Sequence, residues 1–564
     1  MSTFYQEKLN FQDPTSVEQS YKNLLNEDIE TVKEMEAWLK QHSQIQNYIE
    51  EGLTGHYIDF QCQSDSETAK KAFEYDQQVI EPLVKKYEAL LDEKFLSSPI
   101  KNQLDPLYYR EFLKSKMNAK ELFRESNIAL EIEEDRLTTH YFEHTGSLTV
   151  DWNGEEKTLS EISTYLEDSN RKIRKKAMTL TVEAFISKET ELQNIMSDLI
   201  ELRHRKAENA DLPNYRDYMF KKYERFDYTP EDCTNLAVAI QKHVTPLNKR
   251  LQREHQKELG VDVYRPWDRK GVSNEQKPLQ PFHNRNELVE KTTQIFSNLE
   301  PRFAELITTM DKHGMLDLTT RKGKSPGGFC APLPVSELSF IFMNASKTHD
   351  DMTTLLHEMG HCIHNDLTKD LPLSKYRDTP MESAELASMT MELLTMDQWH
   401  LFYDDQEDLR RAKKDHLTGI VGFLPFGMVV DQFQHWLYEN PNHTPAERKM
   451  KFKELQFQID SSIVDWTGYE EWSEITWLRI LHIFEVPFYF VEYVIAQLGA
   501  LQMYKQYRTN PEKTLENYKQ ALSLGASKSL SEVYKAAGIR FDFSEEMIKN
   551  LMEFVEEELE ALND

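Results

Sequence analysis

The chain has 564 residues, 29% of them charged, with a formal net charge of −29. That length supports a large core and exceeds one ordinary domain, and the acidic balance argues against nucleic acid and anionic membranes as partners. The four cysteines, Cys62, Cys233, Cys330 and Cys362, include no C-x-x-C pair, which argues for reduced thiols and a cytoplasmic location.

In chain order, MSTFYQEKLNFQDP has no apolar run, so no signal peptide is expected. No stretch reaches the roughly 18 apolar residues that a membrane-spanning helix needs. Apolar residues at three- and four-residue spacing predict helices over 16–45, 66–93, 105–134, 168–210, 231–258 and 285–312. Asn153-Gly154 within SLTVDWNGEEKTL is a hairpin turn signal. Residues 338–344, LSFIFMN, are apolar on both faces and read as a strand. A soft boundary near residue 200 divides an N-terminal helical region, 1–200, from a catalytic region, 201–564.

The catalytic reading rests on His357-Glu358-Met359-Gly360-His361. On a helix, residues four apart share a face, so both imidazoles can reach one metal ion, and Glu358 can act on a water bound to it. Chance gives at most about 0.1 such patterns in a chain of this composition. Helical projection puts Met352, Leu355, Leu356, Met359 and Ile363 on one side and His357, His361 and His364 opposite. Asp350 and Asp351 suit the start of this helix, as a cap and a charge favourable to its dipole. Gly360 is costly in mid-helix, which predicts another backbone passing close by. His364 is seven residues from His357, too far along the axis for both to reach one ion, and reads as a packing residue.

Zinc needs a third protein ligand, which leaves one position for water. TPMESAELASMTMELLTM offers it on a helix opened by Pro380 whose apolar residues cover most of its circumference. Glu382, Glu385 and Glu392 share one strip of that helix, and a buried Glu must be paired or bound to metal. Glu385 is central on the strip, 24 residues after His361; Glu382 is the rival ligand. Glu392, two turns on, suits a partner that orients a histidine.

These motifs, with SPGGFCAPLPVSELSFIFMN before them and HIFEVPFYFVEYVIAQLGALQM at 482–503, resemble the thimet-oligopeptidase and oligoendopeptidase F family of zinc peptidases, in particular its bacterial oligoendopeptidase F branch. The resemblance implies a mainly α fold. It also implies a large helical, two-part body of neurolysin-like zincin type around a deep channel, with a small β element beside the zinc helix. It implies one Zn2+ per chain on His357, His361 and Glu385, with Glu358 as general base. Animal members carry a His and three tyrosines in the C-terminal segment. Here the matching residues are His482, Tyr489 and Tyr493, with Ala496 in the third tyrosine's place. By similarity, the 338–344 strand pairs its backbone with an extended peptide, and Gly327-Gly328-Phe329 lines the same groove.

The function expected is endoproteolysis of short unstructured oligopeptides by Glu-assisted attack of zinc-bound water. Tyr489 and Tyr493, one helical turn apart, together with His482, are the candidate oxyanion donors. The alternatives are a zinc metallocarboxypeptidase, which needs a cationic group for the substrate's free carboxylate, and a non-catalytic peptide-binding protein.

Overall fold

In the computed structural model, which describes residues 4–273 and 275–562, helices dominate and strands are few and short. All six predicted helical stretches are helical, but five of them are interrupted. The first breaks after Asn26, and Thr31 with Glu34 forms a capping box that starts a new helix. The third breaks after Leu122 and the fourth at Ser187-Lys188. The fifth and sixth break just ahead of Pro246 and Pro301. Proline fits a first helical turn but cannot continue a helix that runs into it. The second stretch stays helical through a π turn at Asp76–Ile80, just ahead of Pro82. Apolar periodicity continues across such breaks, so spacing alone merged the pieces.

β1 (Thr149–Trp152) and β2 (Glu155–Thr158) form the expected hairpin. Asn153 (φ 60°) and Gly154 (φ 89°) both take the left-handed conformation that a two-residue primed turn requires.

The site is carried by a second small sheet and six helices. β3 (Leu316–Thr319), β4 (Phe329–Leu333) and β5 (Leu338–Ala345) pair in the order β3-β5-β4, with β5 parallel to β3 and antiparallel to β4. The 338–344 strand is therefore central, and both its edges are already paired. This corrects its expected role: β5 has no free edge for a peptide. Its burial from Ser339 to Met343 is what a strand apolar on both faces requires. β3 and β4 are the edge strands, and Pro332 sits on β4 because an edge tolerates a missing N–H.

The helices are α1 (Val32–Cys62), α2 (Pro230–His243), α3 (His349–Thr368), α4 (Met381–Leu394), α5 (Gln406–Glu439) and α6 (Phe490–Tyr507). α4 packs between α3 and α6, and α3 also lies against β4 and β5. A smaller apolar core runs from Phe11 to Phe112 and takes in Leu373 and Tyr376; a larger one holds the sheet and helices α2 to α6. Among the described residues, no helix is long and apolar enough to cross a membrane.

Candidate active site and metal centre

Thr348, and neither Asp350 nor Asp351, caps α3. Its hydroxyl accepts the Asp351 N–H at 3.2 Å while the Asp351 carboxylate accepts the Thr348 N–H at 2.8 Å. Ser, Thr, Asp and Asn all serve as caps, and this reciprocal box decides for Thr348. The apolar side of α3 is buried as expected, with Met352, Leu355, Leu356, Met359 and Ile363 all within 1% of full burial. His364 is buried too, and burial drives its pKa down to about 3.

The backbone expected near Gly360 is that of α4. This crossing brings Glu385 Oε2 to 3.2 Å from His357 Nε2 and 3.7 Å from His361 Nε2. Donors held tetrahedrally at about 2.0–2.2 Å from one ion lie about 3.3–3.6 Å apart, and the observed separations fall within about 0.1 Å of that range, so two imidazoles and a carboxylate here suit zinc. All three donor atoms fall within 4.8 Å of one another. Glu382 points elsewhere: its Oε1 accepts the Tyr228 hydroxyl at 2.5 Å and lies 3.9 Å from Arg225 Nε. Glu392 Oε1 accepts from His357 Nδ1 at 2.6 Å, an arrangement that leaves the His357 Nε2 lone pair toward the cluster. The far oxygen of Glu392 lies 3.6 Å from His416 Nε2. His416, Arg225 and Tyr228 were not legible in the sequence, because each comes from an element distant in the chain and carries no spacing signal.

Burial dominates the electrostatics. It lifts Glu358 to about 7 against the pull of His357, and it pushes His361 down to about 4 against Glu385. Burial also opposes charge on Glu385 and His357. The two histidines and the Tyr489 hydroxyl outweigh it at Glu385, which is held at about 2. Hydrogen bonds to Glu385 and Glu392 outweigh it at His357, which is raised well above its usual value. A divalent cation held by these donors would compete with the His357 proton and would pull Glu358 downward.

His357, Glu358, His361, Glu385, Tyr489 and Tyr493 line one cavity of about 690 Å³. Residues of α1, including Ile49, Glu50 and Leu53, line it too, together with Gly328, Phe329, Cys330 and Pro332 of β4 and its approach. Gly327 is not in the lining; it makes the preceding turn (φ 98°), and its carbonyl accepts the Asn344 amide at 3.0 Å. A second cavity of about 400 Å³ shares Tyr493 and is lined also by Glu392 and His416.

The two tyrosines take different partners. Tyr489 donates its hydroxyl to Glu385 Oε1 at 2.8 Å. Tyr493 Oη lies 3.4 Å from His482 Nε2. His482 does not line either cavity; its ring stacks behind Tyr489, with centroids 5.8 Å apart. Ala496 is fully buried.

The model for peptidase family M3 matches residues 164–553, and that for the peptidase M3 N-terminal domain matches residues 4–123. The chain belongs to peptidase family M3. It is 22% identical over 409 residues to the oligoendopeptidase F homolog of Mycoplasma genitalium, covering 68% of this chain and 64% of that protein. It is 23% identical over 381 residues to the oligoendopeptidase F homolog of Borreliella burgdorferi, covering 66% of this chain and 62% of that protein. The match thus spans less than two thirds of the length of either relative. The solved structure of PZ peptidase A with inhibitor 2 superposes with a TM-score of 0.92 at 25% identity, over 99% of this chain and 98% of that one. The M3 chain described here therefore has the mainly α fold expected of it.

Proposed function

We propose that this M3 chain is a zinc-dependent endopeptidase of short, unstructured oligopeptides, working in the cytoplasm. The observation that carries the reading is the convergence of His357, His361 and Glu385, with Glu358 beside them, on one wall of a cavity bordered by an edge strand. His357, His361 and Glu385 would hold a zinc ion, which would supply Lewis-acid chemistry toward the scissile carbonyl and a bound water.

The chain's own groups do the rest. Glu358 accepts the proton of the attacking water and delivers it to the leaving amine. Glu392 fixes the His357 tautomer, and Tyr489 steadies Glu385. Tyr493 donates to the developing oxyanion, and His482, whose Nε2 lies 3.4 Å from the Tyr493 hydroxyl, orients it. The free edge of β4 takes the substrate backbone as an added strand, with Gly328 and Phe329 beside it. Residues 1–200 form part of the cavity wall, and residues 201–564 carry the chemistry. The four cysteines are all free thiols, as a reducing compartment favours.

The test is a peptide blocked at both ends, offered with zinc and again after chelation. Internal cleavage that disappears on chelation and returns with zinc is expected. Cleavage only of peptides with a free C-terminal carboxylate would instead make the chain a metallocarboxypeptidase, and binding without turnover would make it a peptide-binding protein.

A further inference from the structure

A second set of metal-type donors lies away from the cavity, between α2 and α5. Asp431 and His435 are four residues apart on α5 and so share a face. Cys233 meets them from α2. The thiol, one carboxylate oxygen and one imidazole nitrogen lie within 4.8 Å of one another. The arrangement also repeats the catalytic one: an i, i+4 pair on one helix and a third donor from the helix packed on it.

This cluster is more deeply buried than the catalytic one. Cys233 and Asp431 are 0% exposed and His435 is 4% exposed. Among the described residues, Asp431 Oδ1 and His435 Nε2 find no hydrogen-bond partner. Asp431 Oδ2 accepts only the Gln432 amide, at 2.9 Å, and stands 3.4 Å from His435 Nε2. No Lys or Arg among the described residues reaches Asp431 as an ion pair. The nearby Arg225 uses its Nη2 on Glu492 Oε1 at 2.6 Å and the Phe488 carbonyl at 2.5 Å, and neither its Nε nor its Nη1 hydrogen-bonds Asp431. A fully buried carboxylate without a cation is costly, and a bound cation removes that cost. Thiolate, imidazole and carboxylate together suit zinc and similar borderline-soft ions, and are a poor set for magnesium or calcium.

We propose that Cys233, Asp431 and His435 hold a second, structural divalent metal ion of the zinc class, which clamps α2 to α5. On binding, the Cys233 thiol loses its proton to solvent and the sulfur forms a bond to the metal.

The test counts and identifies the metals in the full-length chain. After loading with zinc and desalting, two equivalents per chain are expected by elemental analysis. After exchange with cobalt, a near-ultraviolet thiolate-to-metal charge-transfer band is expected, because His357, His361 and Glu385 include no sulfur. Cys233→Ala should lose the band and one equivalent while still cleaving peptide. His361→Ala, which removes a catalytic donor, should keep the band. A wild-type chain without the band, or a band that survives Cys233→Ala, overturns the proposal. The wild-type result does not depend on how any variant folds, and the His361→Ala result stands even if the catalytic reading fails.

Discussion

A Cβ built on Gly360 stands 2.4 Å from the Cα of Ser388. It also stands 2.7 Å from the Ala387 carbonyl oxygen. Both atoms are backbone of α4, so no side-chain rotation relieves the clash. This contact sets how closely α3 and α4 approach, and that approach places Glu385 beside the two imidazoles.

Gly360→Ala therefore tests the crossing. On helix propensity alone it should stabilise by about 1 kcal/mol. Forcing the helices apart in a packed core costs typically ~1–3 kcal/mol or more. The expected outcome is a lower Tm together with a reduced zinc content after desalting. A Tm equal to or above wild type would show that the approach is not tight.

Gly360 also shows what the sequence made legible. A glycine in mid-helix signalled a close neighbour, and the i, i+4 spacing with its apolar opposite face placed the histidines. Three glutamates on one strip were visible and the central one, Glu385, was the preferred ligand; the tertiary contacts show why, with Glu385 facing the imidazoles and Glu382 facing Tyr228 and Arg225. The role of β5 departs from the sequence expectation for a related reason. A doubly apolar strand is legible as buried, and burial on both faces itself favours a central position with no free edge. The helix breaks were marked by Pro246, Pro301 and the Thr31–Glu34 box, signals that apolar periodicity overrides when it is read alone.

The same distinction separates two variants. Glu385→Ala should lose most of its zinc with a modest change in Tm. Glu382→Ala should keep zinc but lose stability, because it removes a buried partner of Tyr228 and leaves Arg225 less compensated. Elemental analysis and thermal unfolding on both proteins check this. Zinc loss in Glu382→Ala alone would exchange the two roles.

Glu358→Gln should bind zinc normally and lose turnover by a factor of about 10²–10⁴, the usual contribution of a positioned acid–base group. Near wild-type kcat in a zinc-loaded sample would remove Glu358 from proton transfer.

The tyrosines should separate by what each touches. Tyr489→Phe removes the hydroxyl on Glu385 and should weaken zinc affinity, by about 10- to 100-fold if it acts as an outer hydrogen-bond partner does. Tyr493→Phe should leave zinc affinity and KM nearly unchanged and lower kcat by about 10²–10³, as loss of an oxyanion donor does. Zinc titration and steady-state kinetics distinguish them. A pure KM effect in Tyr493→Phe would make it a substrate contact.

The cavity itself predicts a limit on substrates. His357 and Glu358 share a cavity with the α1 residues Ile49, Glu50 and Leu53, more than 300 positions away in the chain. A space of about 690 Å³ has room for a short extended segment and none for a folded domain. A folded substrate must first open locally, at up to its full unfolding free energy of ~5–15 kcal/mol. The comparison is one protein offered folded, the same protein denatured, and a short peptide from it, at equal concentrations of cleavable bonds. Rapid cleavage of the peptide, slower cleavage of the denatured chain and almost none of the folded form are expected. If the folded form were cut as fast as the peptide, the site would be open, and the helices facing it would need another purpose.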